Sequence, residues 1–532
     1  MTKGENSEGQ AVAFRLSPHQ ENLWQLGPLT PGYRAQCVLD VGLNAAAQVR
    51  EALEAVVGRH EILRTTFVRQ AGLLFPNQVI CDSLPPAWSE EAWDGPLADP
   101  AALTALLRAE GGTPVDLEHG PVLHALLATG SEGRRLLVLT APSVCADATS
   151  LAVVAGEIAS LLAGDVQLSE PLQYADFAEW RHELQAGNDE DAEAARHFWS
   201  EQELDHAGTP ILLFGTAVEA AGDFVPERIH VELDAQSLPG LERTAAGLGS
   251  TASAFLEAAW HALVARFSGE SGVVIPTLVD GRAHDELANA AGVFAEYVPV
   301  RTKIEETTSF AEALDQVTRA RAEAERWQDY ESAAEMRAVS ERLPIRFAAQ
   351  TMSAALGDLP VIALRAQLDR FALELSLRVE DGSLALELTY DPEAYDPDDA
   401  KRIATAFAAL AAHAAEAPST PVANLRLLGE NERERLVVEW NQTDAEIPPT
   451  CIHVMFEKQT ARTPARLALS AGGVELSYAE LNVRANQVAH HLRQQGVGRG
   501  SAVGLCMDRS ADMVVALLGI LKAGGAYVPL NF

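Results

Sequence analysis

Cysteine is scarce in this chain of 532 residues: Cys37, Cys81, Cys145, Cys451 and Cys506 are odd in number, far apart, and form no Cys-x-x-Cys pair. That excludes a disulfide framework and a thiolate metal site, and it fits a reduced, cytoplasmic compartment. Basic residues are outnumbered, 40 Lys and Arg against 75 Asp and Glu, leaving a formal charge of -35. A nucleic-acid or anionic-membrane partner calls for the opposite sign. The acid is spread along Ala-rich helical patterns and reads as a solvated surface. No apolar run approaches the roughly 20 residues that span a bilayer. Met1–Gln10 is polar, without the apolar stretch of a signal peptide. No Gly-x-x-x-x-Gly-Lys phosphate loop occurs anywhere.

What remains is the composition of an ordinary globular protein, 48% hydrophobic and 22% charged, long enough for two to four domains. Residues 1–11 read as a disordered leader. Helical spacing marks residues 46–58 and 251–267, and strand character marks Ile62–Phe67, Leu136–Leu139, Glu227–Leu233 and Gly272–Leu278. Ser83–Pro100 reads as a surface excursion, and Gln185–Arg196 as a charged separator between two similar halves. Gln367–Val379 and Ser383–Tyr390 alternate like paired strands joined by Glu380-Asp381-Gly382. A helix over 398–415 closes the second half. The expectation is an α/β protein with lobes at 12–184 and 185–430, a linker at 431–448 and a third unit at 449–532.

A series of short motifs runs through the first 430 residues. Ser17-Pro18-His19-Gln20-Glu21-Asn22-Leu23-Trp24 comes first, followed by Arg59-His60-Glu61-Ile62-Leu63-Arg64-Thr65-Thr66-Phe67. Later come Tyr174-Ala175-Asp176-Phe177-Ala178-Glu179-Trp180, Gly281-Arg282, and Gly292-Val293-Phe294-Ala295-Glu296-Tyr297-Val298-Pro299. Trp327-Gln328-Asp329-Tyr330 closes the series in weakened form. In content and order this resembles the condensation domains of nonribosomal peptide synthetases. The resemblance implies two chloramphenicol-acetyltransferase-like lobes set in a V. A tunnel between them would admit a donor thioester and an acceptor amine, each brought by a peptidyl carrier protein on a phosphopantetheine arm, with no cofactor bound in the chain itself. From Asn441-Gln442-Thr443 through Leu476-Ser477-Tyr478 to Leu521-Lys522-Ala523-Gly524-Gly525 the chain is similar to the opening of an adenylation domain. The phosphate loop and substrate pocket of that family have no counterpart up to Phe532, so neither ATP binding nor amino-acid activation is expected.

The departure from the family lies after the Leu136–Leu139 strand. Where the family carries His-His-x-x-x-Asp-Gly, this chain reads Pro142-Ser143-Val144-Cys145-Ala146-Asp147-Ala148. The second histidine, which serves amide-bond formation, corresponds to Ser143. Ser143 is open to two readings, a hydrogen-bonding or nucleophilic group or a small polar filler, and no histidine lies in the loop to activate it. Pro142 fixes its own φ and shapes the loop. Cys145 reads as core. The resemblance implies that Asp147 is structural and pairs with Arg282 across the lobes, a role as substitute base being the alternative. Ala148 replaces a glycine, and Arg64 belongs to the structural second motif. A heterocyclising variant would need aspartate at Pro142 and is excluded. Two functions compete. One is acyl or peptidyl transfer with impaired or altered catalysis. The other is a non-catalytic module that docks carriers or recruits a tailoring enzyme, upstream of the adenylation domain.

Overall fold

The fold rests on two six-stranded mixed sheets that share one crossing segment. The computed structural model describes residues 13–27, 32–93, 100–130, 133–165, 168–202, 204, 224–233, 237–330, 342–352, 355–356, 359–380 and 383–531. The leader at 1–11 and the turn residues 381–382 lie outside them. The chain divides into two compact units, Met1–Glu434 and Arg435–Phe532.

The first sheet runs in the order Ala355–Leu356, Leu359–Ala366, Arg34–Gly42, Arg135–Pro142, His124–Gly130, Ala87–Trp93. Its two central strands are buried on both faces; Arg135–Pro142 accordingly reads as a near-continuous apolar run, while Arg34–Gly42 also buries the polar Arg34, Gln36 and Asp40. Period two sorts them. Cys37, Leu39, Leu137 and Leu139 face a core closed by Val49, Leu53 and Val56 of the Ala46–Arg59 helix and by the Ala148–Leu162 helix. Val38, Leu136 and Val138 face the other way, onto Leu107 of the Pro100–Gly111 helix.

The second sheet runs Glu296–Lys303, Gly272–Val279, Ile345–Met352, Leu373–Glu380, Ser383–Tyr390, Glu227–His230. Against it lies the Ala252–Ser268 helix, capped by Thr251 and buried from Phe255 to Ala265 beneath the helices Phe310–Trp327 and Pro397–Glu416. That helix hides polar groups too. Glu257 accepts from Thr277 Oγ1 (2.8 Å) and Arg321 Nη1 (2.9 Å), and His261 Nδ1 is 3.0 Å from Thr302 Oγ1.

Several sequence expectations are corrected. The Leu359–Ala366 strand belongs to the first sheet, paired antiparallel with Arg34–Leu39, so a cut between 184 and 185 does not separate the sheets. The alternation over 367–379 hides this, because the second-sheet strand begins only at Leu373. Ile62–Phe67 opens as a 3-10 turn, Glu61–Arg64, and becomes strand at Thr65, whose Oγ1 bonds the Glu61 carbonyl at 2.7 Å. Within the expected surface excursion, Ala87–Trp93 is an edge strand parallel to His124–Gly130. An edge with a solvated face tolerates its acid, which masks the strand signal. The charged separator is mostly helix, Glu190–Glu201, capped by Asp189 and burying Ala192, Ala195 and Trp199.

The boundary at Glu434/Arg435 falls inside the expected linker 431–448, part of which is helical, Glu430–Val437 and Glu439–Asn441. The second unit holds a hairpin, Leu467–Ala471 with Val474–Ser477, turning on Gly472 and Gly473 at positive φ. It also holds a parallel pair, Ala502–Leu505 with Ala526–Pro529. Helices Ile452–Arg462, Tyr478–Gln494 and Ala511–Ala523 pack around Lys522, whose buried ammonium meets Glu457 (2.6 Å), Asn482 (2.7 Å) and Asn486 (2.9 Å).

Candidate active-site loop and inter-sheet cavity

Pro142 ends the central strand opposite Arg34. Its carbonyl accepts from the N–H groups of Cys145 (2.8 Å) and Ala146 (3.3 Å), which folds residues 142–146 into a tight turn. The turn is held from outside as well: Ser143 N–H donates to the Tyr33 carbonyl (3.2 Å), and Gln20 Nε2 donates to the Val144 carbonyl (3.0 Å). Gln20 belongs to the first motif, so that motif positions this loop. Ser143 is 1% exposed, and its Oγ has no hydrogen-bond partner among the described residues. Cys145 is fully buried, and burial pushes its thiol up, far from thiolate chemistry.

Asp147 caps the Ala148–Leu162 helix and is completely buried. Five donors meet its carboxylate. Oδ1 takes Ser150 N–H (2.7 Å) and Arg282 Nη2 (3.1 Å); Oδ2 takes Arg282 Nη1 (3.1 Å), Phe294 N–H (2.8 Å) and Ala295 N–H (3.0 Å). Burial opposes its charge, but the Arg282 guanidinium and these hydrogen bonds outweigh it and hold the carboxyl below the usual range. An acid so engaged is a poor proton acceptor. Arg282 is locked in turn by Asp280 Oδ1 (3.0 Å), Ser150 Oγ (2.8 Å) and the Phe294 ring 4.4 Å away.

Two glycines permit this clamp. Gly281 has φ +68, and a Cβ there would lie 2.0 Å from the Phe294 carbonyl oxygen. A Cβ on Gly292 would lie 1.9 Å from the Tyr174 ring, whose hydroxyl is fixed to Ser17 Oγ (2.7 Å) and the Val293 carbonyl (2.8 Å). The motif segments Ser17–Trp24, Tyr174–Trp180 and Gly281–Pro299 thus meet around the loop. Arg64 is not brought there: its bonds go to Glu61 (3.4 Å) and the Cys81 carbonyl. His60 pairs with Glu157 (3.0 Å), likewise away from the loop. Ser150, Thr149 and Asp280 complete the clamp and were not singled out by motif reading. Their signal, short polar residues at an N-cap and after a strand, is common to many folds.

A cavity of about 660 Å³ lies beside the clamp, between the two sheets. Ala148, Thr149, Ala152, Asp280 and Arg282 form one wall; Arg321, Glu325, Arg326 and Gln328 form another. Ser143 does not line it. Among the described residues no three His, Cys, Asp or Glu gather to hold a metal, and no helix is long and apolar enough to cross a membrane.

Paired mixed sheets, one completed by a strand from the other half, with an arginine-clamped aspartate at a strand–loop–helix junction, define the chloramphenicol-acetyltransferase-like class. The chain belongs to the condensation-domain family, whose profile matches residues 11–437, and the AMP-binding enzyme profile matches residues 456–532. It is a condensation domain followed by a short adenylation-type segment. It is 32% identical over 557 residues to chondramide synthase cmdD of Chondromyces crocatus, and 29% identical over 507 residues to tyrocidine synthase 3 of Brevibacillus parabrevis. These alignments take in 98% and 91% of this chain but only 14% and 8% of those relatives. Among solved structures it is similar to holo-AB3403, a four-domain nonribosomal peptide synthetase bound to AMP and glycine (TM-score 0.79, 20% identity, 99% of this chain and 42% of that one). It is also similar to the condensation domain of the monacolin K polyketide synthase MokA (TM-score 0.68, 18% identity, 77% and 99%).

Proposed function

We propose that residues 11–437 act as a nonribosomal peptide synthetase condensation domain that holds an acyl donor and an amine acceptor in the inter-sheet cavity but supplies no proton acceptor at its loop. The substrates would arrive as thioesters on the phosphopantetheine arms of partner carrier proteins. The carrying observation is the state of the loop: the Ser143 hydroxyl is buried without a described partner, and five donors occupy the Asp147 carboxylate. Positioning two bound reactants still contributes roughly 7–11 kcal/mol to lowering the barrier. Loss of a general base costs about 10²–10⁴-fold. Amide transfer is therefore expected, and expected to be slow. A docking role, for carriers or a tailoring enzyme, is the second reading, and it is favoured by one fact: Ser143 does not line the cavity.

The test is single-turnover transfer between an acyl-loaded donor carrier and an aminoacyl-loaded acceptor carrier, followed by intact-protein mass spectrometry. Wild type, Ser143→Ala and Pro142→His/Ser143→His are compared, with melting curves confirming that each is folded. Slow product from wild type, unchanged in Ser143→Ala and faster by two orders of magnitude or more in the double variant, supports transfer without a loop base. Product abolished by Ser143→Ala would overturn it in favour of a serine that takes part. No product from any folded variant would leave docking as the function.

A further inference from the structure

The protein carries 35 more acidic than basic residues, yet arginines converge on a second, smaller chamber. This chamber of about 220 Å³ shares Leu278, Gln350 and Leu364 with the larger cavity and is lined by Arg228, Arg365 and Arg378. The three come from different strands: Arg228 from Glu227–His230, Arg378 from Leu373–Glu380, and Arg365 from the segment that crosses into the first sheet. Arg108 lies close behind, on the helix whose Leu107 forms part of the wall.

Their charge is under-compensated. Arg378 is paired with Glu387 (2.9 Å), but its Nε is buried with no partner among the described residues. Among the described residues Arg365 hydrogen-bonds only the neutral Gln36 amide oxygen, from Nε (3.0 Å) and Nη2 (2.6 Å). Arg228 is exposed and makes no hydrogen bond or ion pair among the described residues. The other carboxylate in the wall, Glu374, already accepts from Tyr297 and Ser376 (3.0 Å), and burial raises its pKa, favouring its neutral form. Burial, and then the Arg228 charge, push the Arg365 guanidinium down to about 9 against the pull of Glu387, with Arg108 and Arg378 adding to the repulsion. Guanidinium groups gathered in this way, with Arg365 largely out of water, favour an anion between them, because planar N–H forks match carboxylate and phosphate oxygens.

We propose that this chamber binds an anionic group, a carboxylate or a phosphate ester, carried by the substrate or its pantetheine arm. The inference rests on the proposed function in one respect: the chamber adjoins the cavity assigned there to the reactants. Where the anion is a carboxylate of the acyl group, it narrows the substrate class to chains that present an acidic group beside the larger cavity; where it is the arm's phosphate, it fixes the depth to which the arm enters.

Titration calorimetry on the full chain tests it with three amide-linked probes that cannot be turned over: butyryl-pantetheine, succinyl-pantetheine and butyryl-4′-phosphopantetheine. At least one of the anionic probes is expected to bind about tenfold tighter than the neutral one, as for a charge-assisted pair. The preference should shrink in Arg365→Met and in Arg228→Met; the latter alters an exposed side chain and keeps the test valid if the former unfolds. A gain with the succinyl probe assigns the chamber to a substrate carboxylate, and a gain with the phosphorylated probe assigns it to the arm. Equal affinity for all three, or an anion preference untouched by both substitutions, overturns the proposal. The assay involves no transfer, so anion binding that persists while every variant fails to make product would fault the proposed function alone. Transfer without anion preference would fault this inference alone.

Discussion

At the scale of single residues, the loop is built from groups that hold the fold. Asp147 is held in a mechanical role. It caps a helix, fixes two N–H groups of the facing strand segment and neutralises Arg282, all out of water. Replacing it by asparagine leaves the buried Arg282 facing the largely exposed Asp280 carboxylate in place of a buried one, and sets an amide N–H₂ against donors. Breaking a buried pair from one side costs about 3–5 kcal/mol. Asp147→Asn is therefore expected to destabilise the first unit by that order in urea titration, and Asp147→Asn/Arg282→Met should cost clearly less than the sum of the two single changes. Strict additivity would mean that the pair does not hold the loop. Asp147 was legible through the family resemblance, which implied its pairing with Arg282, while its capping of the Ala148–Leu162 helix came only with the structure. The burial of the Ser143 hydroxyl was not, because nothing local to the loop shows that Tyr33 and Gln20 close over it.

At the scale of elements, two glycine-bearing turns let the strands from the two halves approach. Gly281 is left-handed against the Phe294 backbone, and Gly292 sits on the Tyr174 ring. Gly281→Ala has to move a carbonyl whose chain neighbours donate to Asp147, so overpacking and φ strain act on the clamp together. A cost of about 1–3 kcal/mol is expected. Gly240 is a fitting control, lying in the Ser237–Gly247 helix with open space where its Cβ would be. Gly240→Ala should stabilise by about 0.5–1 kcal/mol. Thermal melts of the two variants moving in opposite directions would agree with this reading. Equal, small shifts would mean that the 280–296 turns tolerate a side chain and that the clamp is soft. The helices and the long apolar strands were readable from period and caps. The edge strand Ala87–Trp93 and the crossing strand Leu359–Ala366 were not, because their residues answer to distant partners: His124–Gly130 in one case and Arg34–Leu39 in the other.

At the scale of the whole molecule, that crossing strand decides what counts as a folding unit. The charged stretch at 185–196 suggests two lobes cut near residue 184, but Cys37, Val38 and Leu39 are fully buried under pairing with residues 361–364. A chain of 184 residues would leave that strand as an open, apolar, unprotected edge, the kind of surface that recruits other chains. Residues 1–184 expressed alone are accordingly expected to aggregate or to unfold without a cooperative transition, while co-expression with residues 185–434 restores a soluble complex with a sharp melt. A monomeric, cooperatively melting 1–184 fragment would show instead that the first sheet closes without the crossing strand. The same strand supplies Arg365 to the smaller chamber and Leu364 to the walls of both cavities. Its loss would therefore remove part of the wall of both cavities along with the edge protection. The closure of the first sheet and the walls of both cavities thus depend on one segment of sequence that no local pattern marks.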